Sequence, residues 1–294
     1  MASVVHLNGE MLPPEEARIS VFDRGFLYGD GVFETLRTYR GVPFAIDEHL
    51  ARLVQSARIV ALPLPVTVAQ LRSEIEEAVR VAANPESYVR LMLTRGVGDL
   101  GLVAARPSRA TRVVIVQPLP PQPRAIYADG VQLVTVATRR DRGPTSGAGA
   151  KILGYVPNML ALRLARERGA YDAVMVEDGH VLESTTANVF AVCERQLVTP
   201  PVDAGILAGI TRALVLDDAT RAGVSVAVRP MSTAELWTAD ELFITSSLRE
   251  IVPIVRVDDH VVGQGAPGPI TRALHRAFRA SAGIADVPMP WEAS

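Results

Sequence analysis

Lys151 is the only lysine in a chain of 294 residues; the rest of its 30 lysine and arginine side chains are arginines. A guanidinium stays protonated, whereas an amine can lose its proton and attack a carbonyl. A composition that has replaced lysine by arginine everywhere else therefore marks Lys151 as a position where the lone pair matters. The bland alternative is a leftover surface lysine. Its neighbourhood argues otherwise, because Gly147, Gly149 and Ala150 precede it and an apolar helical pattern follows.

A lysine that forms an imine needs an electrophilic partner, most often a cofactor aldehyde. Were that partner pyridoxal phosphate, the chain would also need an anion cradle, an acid for the ring nitrogen and grips for a substrate carboxylate. Ala208-Gly209-Ile210-Thr211-Arg212 opens a predicted helix, whose unpaired N–H groups, positive dipole end and Thr211 hydroxyl would hold an anion. The same residues equally fit an ordinary helix start. Ser246-Ser247, beyond a predicted strand, offers further hydroxyl and amide donors. Glu183, in Val181-Leu182-Glu183-Ser184-Thr185-Thr186-Ala187-Asn188, is the candidate acid, although a solvated turn residue is the competing reading.

The bulk numbers bound the rest. The chain is 48% apolar and 21% charged, with a formal net charge of -2, an ordinary globular balance without a basic field for nucleic acid. No secretory signal and no bilayer-length apolar run are visible, so cytoplasmic residence without membrane contact is the expectation. Cys193 is the single cysteine, which leaves no intrachain disulfide framework. The five histidines are dispersed and form no metal motif, so no metal is expected.

The elements that must position these residues follow from periodicity. Val32–Arg37, Tyr88–Thr94 and Arg112–Val116 are expected strands, with a helix capped by Asp47 and another from Thr67 to about Ala83. Gln117–Pro123 contains four prolines and marks a boundary. Beyond it come strands at Val131–Ala137, Ala173–Val176, Asn188–Val192, Ser225–Val228, Leu242–Ile244 and Ile251–Val257, with helices near Asn158–Arg168, Ile210–Ala222 and Ile270–Ala280. The expectation is an α/β (mixed α+β) chain with a small domain over 1–117, a proline-rich linker over 118–126 and a larger domain over 127–294.

Taken in order, these pieces resemble the fold type IV pyridoxal-phosphate enzymes, or class IV aminotransferases, over about Leu7 to Ala280. Arg24-Gly25-Phe26-Leu27-Tyr28-Gly29-Asp30-Gly31-Val32-Phe33-Glu34 looks like the N-terminal signature. Lys151-Ile152-Leu153-Gly154-Tyr155 looks like the Schiff-base segment, with Gly154 and Pro157 departing from the commoner Asn-Tyr-Leu pattern. Glu183–Phe190, Gly209–Arg212 and Ser246-Ser247 are similar to the ring-nitrogen and phosphate segments. The resemblance implies the two-domain fold of D-amino acid aminotransferases, pyridoxal 5'-phosphate, ping-pong transamination and a homodimer with shared loops. It implies Lys151 as the imine and proton-shuttle residue, Arg52 as phosphate clamp and Tyr155 at the ring oxygen. Glu183 would face the ring nitrogen, while Ile210, Thr211 and Ser247 would hold the phosphate.

Within that family the pattern is nearest branched-chain amino acid aminotransferases acting with 2-oxo acids such as 2-oxoglutarate. Tyr88-Val89-Arg90 resembles their Tyr-x-Arg, and Tyr28, Phe33, Ser247 and Leu248 would complete a substrate pocket. The loop Val97–Leu102 lacks the Arg-x-His of D-amino acid aminotransferases, although Arg106 and Arg109 are candidate substitutes. Phe33-Glu34-Thr35, against the usual Phe-Glu-Gly, resembles instead aminodeoxychorismate lyases and the D-amino acid and mixed-specificity branches, so a D-amino acid or (R)-amine transaminase and an aminodeoxychorismate lyase are the alternatives. A non-enzymatic binding protein on the same fold is the alternative of a different class.

Overall fold

The computed structural model describes residues 2–103, 109–143 and 146–292. The chain forms two compact units, residues 1–120 with 149–154, and residues 121–148 with 155–294. In the first, strands β1 (Val4–Leu7), β2 (Glu10–Leu12), β3 (Gly31–Tyr39), β4 (Val42–Pro43), β5 (Ser87–Thr94) and β6 (Thr111–Pro118) make an antiparallel sheet in the order β2-β1-β6-β5-β3-β4. Its helices are α1 (Arg24–Tyr28), α2 (Ile46–Ile59) and α3 (Val68–Ala82). Alternation in β3 and β5 puts Val32, Leu36, Val89, Leu91 and Leu93 into the core against Leu50, Leu53, Leu71 and Ile75 of α2 and α3. Thr67 caps α3, its hydroxyl accepting from Gln70 N–H at 3.2 Å, as its sequence position requires. Asp47 is not the cap of α2. The chain turns through Ala45 (φ +52°), and Asp47 lies in the first turn of the helix.

The second unit begins with α4 (Ala125–Ala128) and β7 (Val131–Ala137), followed by α5 (Val156–Glu167), β8 (Asp172–Glu177), β9 (His180–Ser184), β10 (Asn188–Cys193) and β11 (Gln196–Thr199). Then come α6 (Ile210–Arg221), β12 (Val226–Val228), α7 (Thr233–Thr238), β13 (Glu241–Ser246), β14 (Glu250–Val257), β15 (His260–Val261) and α8 (Pro269–Ser281). The strands join in one mixed sheet ordered β12-β11-β10-β13-β14-β7-β8-β9, with β9 also pairing β10 and β15 pairing β14. Phe190 and Phe243 stack in its interior with centroids 5.0 Å apart.

The division between the two units falls at Pro120–Pro121, inside the proline-rich stretch 118–126, of which Pro118 is the last residue of β6 and Ala125 the first of α4. One placement differs from expectation. Lys151, expected with the larger domain, is counted with the first unit because residues 149–154 return to β3. The Phe33 N–H donates to the Lys151 carbonyl at 2.9 Å, and the Leu153 N–H donates to the Gly31 carbonyl at 3.1 Å. Gly31 has to be glycine here, because a Cβ would stand 2.5 Å from the Leu93 carbonyl oxygen and 2.7 Å from Leu153 Cδ1.

Candidate active site

Lys151 lies on the edge of β3 beside the stretch that β4 leaves uncovered, held by those two main-chain bonds and by its own N–H, which donates to Ser56 Oγ of α2 at 3.0 Å. Two of these bonds are on Lys151 itself and one on Leu153, and together they fix the start of a long, flexible side chain. Its Nζ lies 4.6 Å from the centroid of the Phe33 ring, and the Arg90 guanidinium carbon lies 4.0 Å from the same centroid. Phe33, Thr35 and Arg37 of β3 face Met92, Arg90 and Tyr88 of β5 in register, so Phe33, Tyr88 and Arg90 share one face of the sheet. Tyr28 is placed differently. Its hydroxyl accepts from the Gly101 N–H at 2.9 Å and its ring lies beside the Arg24 guanidinium, so it supports the loop that follows β5. Arg109 is exposed, and Arg106 falls outside the described residues.

Arg52 does not stand alone. Its Nε and Nη2 donate to the two oxygens of Glu34, each at 2.7 Å, and Glu34 Oε2 also lies 2.7 Å from His49 Nδ1. Burial raises the Glu34 pKa, but the hydrogen bonds from Arg52 and His49 and the charge of Arg52 overcome it and bring the group down to about 2. An ionised carboxylate only accepts, so the His49 proton must sit on Nδ1. His49 Nε2 is then an acceptor, and it is buried without a partner. Burial pushes His49 below the ordinary imidazole range, opposed by Glu34 and assisted by the positive charges of Arg52 and Lys151. The triad is thus one anion, one cation and one neutral ring.

In the second unit Glu183 lies on β9, buried, and not in a solvated turn. Arg140 Nη2 donates to its Oε1 at 2.7 Å and the Leu207 N–H to its Oε2 at 3.1 Å. Leu207 in turn offers its carbonyl to Asn188 Nδ2 at 2.9 Å. Two residues further on, Gly209 caps α6 with no side-chain hydrogen bond. A Cβ on Gly209 would run into the Asn188 amide, so any larger residue here must displace the side chain that holds the Leu207 carbonyl. Ile210 and Thr211 form the first turn of α6, and the Thr211 hydroxyl is buried with no hydrogen-bond partner. Ser247 and Leu248 sit in the three-residue turn between β13 and β14, closed by the Ser246–Glu250 pair. Arg249 of that turn reaches Ser246 Oγ at 3.2 Å, Thr186 Oγ1 at 2.8 Å and Asp172 at 3.2 Å. Tyr155 precedes the first turn of α5.

These features fit a phosphorylated pyridine cofactor. An uncapped helix start, an orphaned hydroxyl in its first turn and an obligatory glycine make an anion cradle. One hydrogen-bonded segment joins that cradle to a buried carboxylate suited to a ring nitrogen. Among the described residues no cluster of His, Cys, Asp and Glu could hold a metal ion, and no helix is long and apolar enough to cross a membrane. Sequence reasoning passed over the Glu34–His49 support of Arg52 and the Arg140–Glu183 pair. The only local signal for the latter was the basic run Arg139-Arg140-Asp141-Arg142.

Comparison with known proteins agrees with this chemistry. The profile of the family described as amino-transferase class IV matches residues 31–257. A putative branched-chain-amino-acid aminotransferase of Methanocaldococcus jannaschii is 39% identical over 94% of this chain and 95% of its own length. A D-alanine aminotransferase of Bacillus licheniformis is 33% identical over 94% of this chain and 96% of its own. The crystal structure of the Escherichia coli branched-chain amino acid aminotransferase superposes with a TM-score of 0.91 at 27% identity, covering 99% of this chain and 98% of that one. The chain belongs to the class IV aminotransferases. It is a two-domain fold type IV enzyme that uses pyridoxal phosphate to transfer amino groups between amino acids and 2-oxo acids.

Proposed function

We propose that the enzyme is a branched-chain-type aminotransferase acting on L-amino acids with 2-oxoglutarate as acceptor. The observation that carries this reading is the shared face of Phe33, Tyr88 and Arg90, with the arginine 4.0 Å from the Phe33 ring centre. An aromatic floor with a phenol and a guanidinium beside it suits substrates that alternate between an apolar and an acidic side chain. The 39% identity to a putative branched-chain enzyme supports the same reading.

When bound, pyridoxal phosphate supplies an aldehyde that condenses with amines and a protonated ring that accepts electron density. In the proposed mechanism Lys151 Nζ, as a neutral amine, would be the base that takes the proton from the substrate α-carbon and the acid that returns it. Glu183 would keep the ring nitrogen protonated, and Ile210 N–H, Thr211 and Ser247 would hold the phosphate; the family resemblance assigns Arg52 to the phosphate as well and Tyr155 to the ring oxygen. Ser247 and Leu248 amides would offer donors to the substrate carboxylate, and the family resemblance assigns the Tyr88 hydroxyl to that carboxylate and Arg90 to the distal carboxylate of glutamate. Tyr28 shapes the pocket through the loop it supports. We infer a homodimer on the family resemblance.

The decisive experiment is a donor panel of L-leucine, L-glutamate, D-alanine, (R)-1-phenylethylamine and aminodeoxychorismate. Fastest half-reactions with L-leucine and L-glutamate are expected. Preference for D-alanine or the (R)-amine, or release of pyruvate from aminodeoxychorismate, overturns the substrate assignment.

A further inference from the structure

We propose that Arg140 is a positioning residue that holds the Glu183 carboxylate ionised and in a single orientation for the cofactor's ring nitrogen. This deepens the role given to Glu183 above and rests on it.

Arg140 is built into place from both ends. Its main-chain N–H donates to Glu177 Oε1 at 2.6 Å, and Glu177 is itself paired with Arg142. Its guanidinium donates to Glu183 at 2.7 Å and to the Gly205 carbonyl at 3.4 Å, and lies 3.8 Å from Met175 Sδ. Arg142 fastens the neighbouring Ala204 carbonyl at 3.1 and 3.0 Å. Two arginines thus clamp residues 204–205, and the same segment returns Leu207 N–H to the second oxygen of Glu183. Each Glu183 oxygen has a donor, one of them permanently charged, so the carboxylate can neither rotate freely nor accept a proton cheaply. A proton shared between this group and a pyridine nitrogen then resides on nitrogen, which is the form that accepts electrons from the substrate carbon.

Other charged groups of this unit have their own partners: Glu177 of β8 is matched by Arg142, Asp172 of β8 by Arg249, and Arg212 of α6 directs Nη2 to the Pro200 carbonyl. Removing the Arg140 charge should therefore make Glu183 easier to protonate, and chemistry that needs its ionised form should fail at a higher pH than in the wild type.

The test uses holoenzyme variants R140M, R140Q and R140K beside E183Q, with two readouts: the pH titration of the bound cofactor's visible absorbance, and the pH profile of kcat. In R140M and R140Q both acid limbs should move up by roughly one to two pH units, with KM for the amino donor close to wild type. R140K, which keeps the charge, should restore most of the shift. Unchanged titration and unchanged acid limb in R140M and R140Q, with E183Q impaired, overturn the role of Arg140 alone. Wild-type turnover in E183Q instead overturns the role of Glu183. Should R140M fail to fold by circular dichroism, R140Q against R140K decides by the same two outcomes.

Discussion

The backbone N–H of Phe33 donates to the carbonyl of Lys151 at 2.9 Å, although 118 positions separate them in the chain. This bond, with its partner from Leu153 to Gly31, ties the lysine segment to β3, the strand that carries the aromatic ring 4.6 Å from its Nζ.

Lys151→Arg should remove turnover. A guanidinium can neither condense with an aldehyde nor shuttle a proton at neutral pH, so kcat should fall by at least about a thousandfold. The purified variant should also lack the lysine-linked visible absorbance with pyridoxal phosphate. Near-native transamination would remove Lys151 from the mechanism.

Glu34→Gln leaves Arg52 with a neutral partner in a buried site, and breaking one side of such a pair costs about 3–5 kcal/mol. The wild-type pair also has a pH signature. Glu34 falls from an ordinary value of 4.5 to about 2 on folding, so its stabilisation is complete above about pH 4.5 and is lost as pH falls toward 2. Urea unfolding between pH 7 and 3 should show the wild type losing stability below pH 4.5 and Glu34→Gln showing a smaller loss. Parallel curves would contradict the assignment.

Thr211→Val separates binding from folding. The hydroxyl has no partner in the protein, so its removal should leave the apo form as stable or more so. Loss of one charge-assisted bond to phosphate should raise the Kd for pyridoxal phosphate about tenfold, or ~1.4 kcal/mol. Spectroscopic titration and apo-protein melting measure the two effects. Equal Kd values would mean that the hydroxyl does not serve the cofactor.

Gly209→Ala should damage both properties. The added methyl runs into the Asn188 amide and must displace it or the start of α6. Overpacking of this kind costs about 1–3 kcal/mol. Because Asn188 also holds Leu207, cofactor affinity should fall with the melting temperature. An unshifted melting curve would show that the contact relaxes freely.

Much of this was legible in the chain itself. Alternation in Val32–Arg37 and the helical pattern from Thr67 to about Ala83 placed β3 and α3 to within two residues at each end, because local stereochemistry and one-sided burial act over a few positions. Asp47 misled because Ala45 takes a left-handed turn that a cap rule does not anticipate. Glu183 was legible as an acid but not as a strand residue, since its short strand is defined by pairing with β8.

Composition alone singled out Lys151, since only an amine does what an arginine cannot, and the ordered segments around it named the cofactor chemistry. Tertiary structure decided which unit carries the lysine and which partners the charged groups take. Glu34 meets Arg52 across 18 positions and Arg140 meets Glu183 across 43. Such pairs depend on strand register and on how loops return to a sheet edge. Those are set by burial summed over the whole unit, and no short window of sequence contains that sum.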